Sequence, residues 1–100
     1  MNAETRPVIL DLNNPDFQDL LFRLEHSEYK KVAKTFRKIK AMNWSQIFVD
    51  AGLNWEAIKS SPGEYSIRLS NAQRAIVRRE RDAMCFLVLS PDHDATYGRK

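Results

Sequence analysis

Arg68, Arg74, His93, Asp94 and Tyr97 are the residues whose types and spacing fit a chemistry of phosphate binding and proton transfer. A histidine, a carboxylate and a tyrosine can supply acid, base and orienting groups. All three fall in the tail Asp92-His93-Asp94-Ala95-Thr96-Tyr97, directly after an apolar run. Arginine carries a fixed planar fork that suits bidentate contact with phosphate better than the point charge of lysine. Alternation puts Ser66, Arg68 and Ser70 on one face of a strand, and Arg74 begins the next strand. A sheet built from these strands brings both arginines, on its polar face, near the tail. The plainer reading makes His93 and Asp94 an ordinary polar C-terminus and packs the Tyr97 ring on the sheet, and residue types alone leave both open. Elsewhere, His26 reads as a helix-end residue, Cys85 as a small buried hydrophobe, and Trp44 and Trp55 as core or rim residues. His26 and His93 give no metal-ligand spacing.

The elements that must hold these residues are readable from periodicity. Arg6 to Leu12 reads as a first strand, ended by Asn13-Asn14-Pro15. Asn14 is a good N-cap, Pro15 suits the first helical position and Asp16 favours the positive helix end. Phe17, Leu20, Leu21 and Leu24 then recur at helical spacing. Ser27 reads as the cap of a second helix with an apolar stripe of Tyr29, Val32, Ala33, Phe36 and Ile39. A short joint makes these two helices an antiparallel hairpin. Asn43 to Gly52 allows a short third helix ending at Gly52, and Asn54 to Ile58 a further turn. Ser60-Ser61-Pro62-Gly63 is the strongest loop signal. Beyond Gly63 the period changes from helical to alternating, giving strands at 64 to 70, Arg74 to Arg79 and Ala83 to Ser90, with Pro91 as the stop. The last strand is apolar on both faces, which places it centrally under the helical hairpin. The expected fold is α+β: an N-terminal strand, a helical hairpin plus a short third helix, then an antiparallel three-strand meander, with the helices on one face.

At 100 residues, with 43% apolar and 29% charged residues, the chain is expected to be a single domain with one core. Three glycines and four prolines speak against bulk disorder. The longest apolar run, Ala83 to Leu89, is far short of the roughly 20 residues that span a membrane. Glu4, Arg6 and Asp11 interrupt the N-terminus, which does not read as a secretory signal. A lone cysteine fits a reducing cytoplasm. Net charge is only +3, but its distribution is uneven. Lys30, Lys31, Lys34, Arg37, Lys38 and Lys40 form a block without an acid. Lys59, Arg68, Arg74, Arg78, Arg79 and Arg81 form a second block, against Glu64 and Glu80. Two basic blocks between acidic ends suggest one positive face able to attract phosphates, though a lysine-rich helix face is often merely solvated.

The succession Glu64-Tyr65-Ser66-Ile67-Arg68-Leu69-Ser70, Gln73-Arg74-Ala75-Ile76-Val77-Arg78, Phe86-Leu87-Val88-Leu89, then His93-Asp94 and Tyr97, resembles the C-terminal half of the RelE/ParE toxin superfamily. The topology read above resembles that family's small fold over most of the chain, and the motifs cover residues 64 to 97. The resemblance implies a bacterial cytoplasmic toxin of a type II toxin–antitoxin pair. In the RelE-like branch this is a ribosome-dependent mRNA endonuclease that needs no metal and no small-molecule cofactor. It implies that Arg74 contacts the scissile phosphate, that Arg68 is a basic catalytic residue, and that His93, Asp94 and Tyr97 complete the site. It implies as partners a cognate antitoxin, the ribosome and mRNA, with no membrane. Lys30, Lys31, Lys34, Arg37, Lys38 and Arg78 would then hold RNA phosphates. Gln73 stands where the family commonly has tyrosine, and Ser66 where some members have lysine. The alternatives are a ParE-like inhibitor of DNA gyrase that cuts nothing, or an inactive RNA- or protein-binding relative.

Overall fold

A computed structural model describes residues 3 to 91 of the chain. Its elements are a 3-10 turn at Ala3–Thr5, β1 (Ile9–Asp11), α1 (Pro15–Phe22), α2 (His26–Lys40), α3 (Trp44–Val49), β2 (Glu56–Ala57), β3 (Glu64–Arg68), β4 (Gln73–Glu80) and β5 (Ala83–Pro91). The five strands form one sheet in the order β1-β5-β4-β3-β2. β3, β4 and β5 are the expected antiparallel meander. β1, however, runs parallel to β5, pairing Ile9 with Ala83 and Asp11 with Cys85. The sheet is therefore mixed. The helices carry the chain away from β1 and return it on the far side, and a parallel neighbour needs such a long crossover. β5 lies between β1 and β4, so the middle strand is β4 rather than the apolar last strand.

Local chemistry explains most boundaries. The Asn14 side chain accepts from the N–H groups of Asp16 and Phe17, satisfying two donors that α1 cannot pair internally. α3 opens on a reciprocal capping box. The Asn43 side chain accepts from Gln46 N–H, and the Gln46 side chain accepts from Asn43 N–H. Three expectations change. Ser27 lies inside α2, and the capping position is Glu25, whose side chain makes no capping bond. α3 stops at Val49 instead of Gly52, because Asp50 turns extended and its carboxylate takes the Leu53 N–H at 2.9 Å. Where a turn was expected, Glu56 and Ala57 pair with Ser66 and Tyr65 as a two-residue edge strand. Gly63 sits at φ +85°, a conformation that a side chain would strain.

One face of the sheet is the core face. Ile67, Ala75, Val77, Met84, Phe86 and Leu89 are buried there beneath Phe17, Val32, Phe36 and Ile39. The Phe86 ring centroid lies 5.3 Å from both Phe17 and Phe36, clamping both long helices to β5. Phe17 meets Phe36 and Phe22 meets Tyr29, contacts that make α1 and α2 an antiparallel pair. Trp44, fully buried, links α3 to the sheet through Trp55, which stacks on Tyr65 at 4.5 Å. No helix among the described residues is long and apolar enough to cross a membrane.

β5 carries a bulge. Val77 pairs with Phe86 but Ile76 pairs with Val88, so Leu87 is an extra residue. The side-chain phase of β5 inverts there. Met84 and Phe86 point to the core before the bulge, and Leu89 does so after it. Val88 and Ser90 consequently join Arg74, Ile76 and Arg78 on the outer face, opposite the helices.

Candidate functional site

The outer face holds a shallow depression of about 330 Å³ lined by Ile58, Ser66, Arg74, Ile76, Ser90 and Pro91. Arg74 is its one cation among the described residues. Cross-strand register puts Arg74 opposite Arg68 on β3 and opposite Ser90 on β5, with Ser66 on the diagonal. Arg74 donates to the Ser66 Oγ from Nε at 2.9 Å and from Nη2 at 2.7 Å. Its Nη2 also lies 3.4 Å from Glu56 Oε1 on the edge strand. The Arg74 side chain is only 14% exposed, so its charge is screened less than that of a surface arginine. A guanidinium held by a neutral hydroxyl keeps its charge and a preset orientation, which is what recognition of a phosphate requires.

Arg68 and Arg74 are register neighbours, as expected, yet they do not line the same cavity. Arg68 borders a smaller recess of about 140 Å³ at the end of β3, with Thr35, Lys38, Leu53, Leu69 and Ser70. Side-chain hydrogen bonds tie its walls together. Thr35 Oγ1 donates to the Leu69 carbonyl at 2.6 Å, and Ser70 Oγ donates to Glu28 at 2.7 Å. Lys38 at its rim donates to Asp50 at 3.1 Å. Burial alone would raise the Asp50 pKa, but the Leu53 N–H and Lys38 outweigh it, and the carboxyl is held below its ordinary value of 3.8. His93, Asp94 and Tyr97 lie outside the described residues. The last described residue, Pro91, pairs with Gln73 beside Arg74.

The two basic blocks do not make one face. Val32, Phe36 and Ile39 turn α2 toward the core, which leaves Lys30, Lys34 and Arg37 on the opposite side of the helix, exposed and without an ion pair among the described residues. Lys31 lies 3.7 Å from Glu28. Arg74 and Arg78 point out from the other side of the sheet, where Arg78 pairs with Glu64 at 3.3 Å. The sheet separates Arg74 and Arg78 from the exposed side of α2, while Arg68 meets the first block only at the recess it shares with Lys38.

Ser66 and Ser90 are contributors that residue typing undervalues. Ser66 shares a face with Arg68 by alternation, but its diagonal contact with Arg74 needs the hairpin register, and Ser90 needs the bulge. Cys85 is partly buried with its Sγ 3.6 Å from Asp11. Burial, reinforced by the Asp11 charge, pushes its pKa up, so the thiol stays protonated and is a poor nucleophile. Comparison with protein-family models, with curated proteins and with solved structures found no match to this chain.

Proposed function

We propose that this chain is the toxin of a type II toxin–antitoxin pair, acting as a ribosome-dependent mRNA endonuclease of the RelE type. The observation that carries the proposal is Arg74, a mostly covered guanidinium held by the Ser66 hydroxyl in a concave part of the outer face. Its cross-strand neighbours are Arg68 and Ser90, and the strand bearing Ser90 leads in sequence to His93, Asp94 and Tyr97. In the proposed reaction the ribose 2′-oxygen attacks the adjacent phosphorus. The P–O bond to the 5′-oxygen breaks, leaving a 2′,3′-cyclic phosphate and a 5′-hydroxyl. His93 or Asp94 takes the 2′-OH proton, and histidine titrates closest to physiological pH. Arg74, with Arg68, stabilises the charge gathering on the phosphate oxygens. Tyr97 orients the nucleotide or protonates the leaving oxygen. Lys30, Lys31, Lys34, Arg37, Lys38 and Arg78 bind RNA phosphates without reading sequence. A cognate antitoxin restrains the protein in the bacterial cytoplasm.

The test is induced expression with pulse labelling of protein and DNA synthesis, for the wild type, Arg74→Ala and His93→Ala. Protein synthesis should stop first in the wild type and continue in both variants. A fully active Arg74→Ala protein would remove the assignment. Earlier loss of DNA synthesis, unaffected by His93→Ala, would favour gyrase inhibition instead.

A further inference from the structure

We infer that Arg6, Arg79 and Arg81 form a second phosphate-binding site at the β4–β5 turn, separate from the Arg74 depression. The three arginines and Asp82 line a recess of about 440 Å³. Arg74 and Arg79 stand near opposite ends of β4, five residues or about 17 Å apart, and strand alternation puts them on opposite faces. The inference therefore stands whether or not the chain cleaves RNA.

Arg79 is the fixed member. Its Nη1 donates to Glu4 at 2.7 Å, its Nε donates to the Arg81 carbonyl at 2.7 Å, and its guanidinium carbon lies 4.2 Å from the centre of the Trp44 ring. Stacking and two hydrogen bonds set the plane of the fork and, among the described residues, leave Nη2 for a ligand. Arg6 is more exposed and touches Asp82 through Nη1 at 3.4 Å, so most of its donors stay available. Arg81 is exposed and makes no ion pair among the described residues. It occupies the first position of the two-residue connection Arg81-Asp82 at φ +57°, where glycine or asparagine would be less strained.

Glu4 and Asp82 offset two of the three positive charges and leave one in excess. They also align the arginines without exhausting their N–H groups, since each guanidinium has five. Forks converging from three backbone positions ask for a ligand with more than two acceptor oxygens. A phosphate meets that demand and a carboxylate does not. The phosphate comes either from a free phosphorylated compound or from an RNA backbone.

The recess has a built-in reporter. Trp44 Nε1–H donates to the Asp82 carbonyl at 3.1 Å, so the indole resonance senses the turn. We would titrate the full-length ¹⁵N-labelled protein with pyrophosphate and, separately, with a short 2′-O-methyl RNA, which lacks the hydroxyl needed for cleavage. The Trp44 indole and Arg79 Nε–H signals should move saturably. Arg81→Ala and Arg6→Ala should each weaken binding about tenfold, the effect of losing roughly one charge-assisted contact. Arg74→Ala should leave the pyrophosphate-induced shifts of Trp44 and Arg79 unchanged, since it lies outside this recess. Equal affinity for both probes assigns the site to free phosphate compounds. Tighter RNA binding, with a salt slope that falls by about 0.7 for each arginine removed, assigns it to a backbone. Absence of a saturable shift with either probe overturns the site, as does saturation undiminished in both Arg6→Ala and Arg81→Ala. Because this readout is independent of cleavage, its failure is distinguishable from failure of the nuclease assignment.

Discussion

Ser66→Ala isolates what orientation contributes at the Arg74 depression. The Ser66 hydroxyl receives two N–H groups of one guanidinium, at 2.9 and 2.7 Å, where the arginine is 14% exposed. A hydrogen bond to a charged group contributes about 1.5–3 kcal/mol. Both bonds end on one oxygen and do not add in full, so the loss is taken as one such bond. If the whole loss falls on the transition state, cleavage slows about 10- to 150-fold, since about 1.4 kcal/mol corresponds to tenfold. The folded protein should lose about 1–3 kcal/mol, the cost of leaving a covered donor short of a partner, with Glu56 still beside Nη2. The assay is single-turnover cleavage of a defined message on programmed ribosomes, with urea unfolding in parallel. The rate constant should fall while ribosome affinity holds. Ser66→Thr restores the hydroxyl on a residue suited to a strand, and should recover most of the rate. Cleavage by Ser66→Ala at the wild-type rate, with Arg74→Ala inactive, would refute the role of Ser66 in aiming the arginine.

Phe86→Ala should cost about 3–5 kcal/mol, as for other large-to-small aromatic changes in cores, because Phe86 is 1% exposed and holds both Phe17 and Phe36. Set against a total of about 5–15 kcal/mol for a typical domain, urea unfolding should show a variant near its stability limit. Asp50 has a folded pKa held below its ordinary 3.8, so its contribution is complete above that value and is lost as pH falls below it through the folded pKa. Urea midpoints measured at pH 5 and pH 3 should drop more for the wild type than for Asp50→Asn. Arg81→Gly relieves the left-handed backbone at φ +57° and should raise stability by about 1 kcal/mol, or roughly 4–8 °C in melting temperature, while weakening the second anion site.

How much was legible depended on whether a residue's role was local. α1 is announced by Asn14-Pro15-Asp16 and the Phe17 and Leu21 spacing, because capping is settled within one turn of chain. The α2 stripe and the alternation of Tyr65, Ile67 and Leu69 are equally local, and the meander follows from short hairpin connections. The parallel pairing of β1 with β5 is not local. It joins residues more than seventy positions apart, and Pro7-Val8-Ile9-Leu10 has no feature that names a partner. The early stop of α3 was hidden because Asp50 acts through Leu53 N–H and through Lys38 on another helix. The pairing of Arg68 with Arg74 was readable from the hairpin, but the recess that Arg68 borders needed the Ser70–Glu28 and Thr35–Leu69 contacts across the fold.

The bulge at Leu87 shows why the outer face could not be assembled from alternation. In an unbroken β5, Met84 and Phe86 facing the core would require Val88 and Ser90 to face it as well, and Leu89 would point outward. A serine would then lie under the helices, and Arg74 would face a leucine. The extra residue reverses this outcome: Leu89 is 5% exposed in the core, and Ser90 stands opposite Arg74 on the outer face. Because Ala83-Met84-Cys85-Phe86-Leu87-Val88-Leu89 is apolar throughout, no polar residue marks the change of phase, and the bulge cannot be seen in the sequence. The same irregularity completes the core and brings the end of β5 to the arginine. Bulges recur where a strand must re-aim a side chain, and this one lies at the step from the packed part of β5 to the part that borders the candidate site.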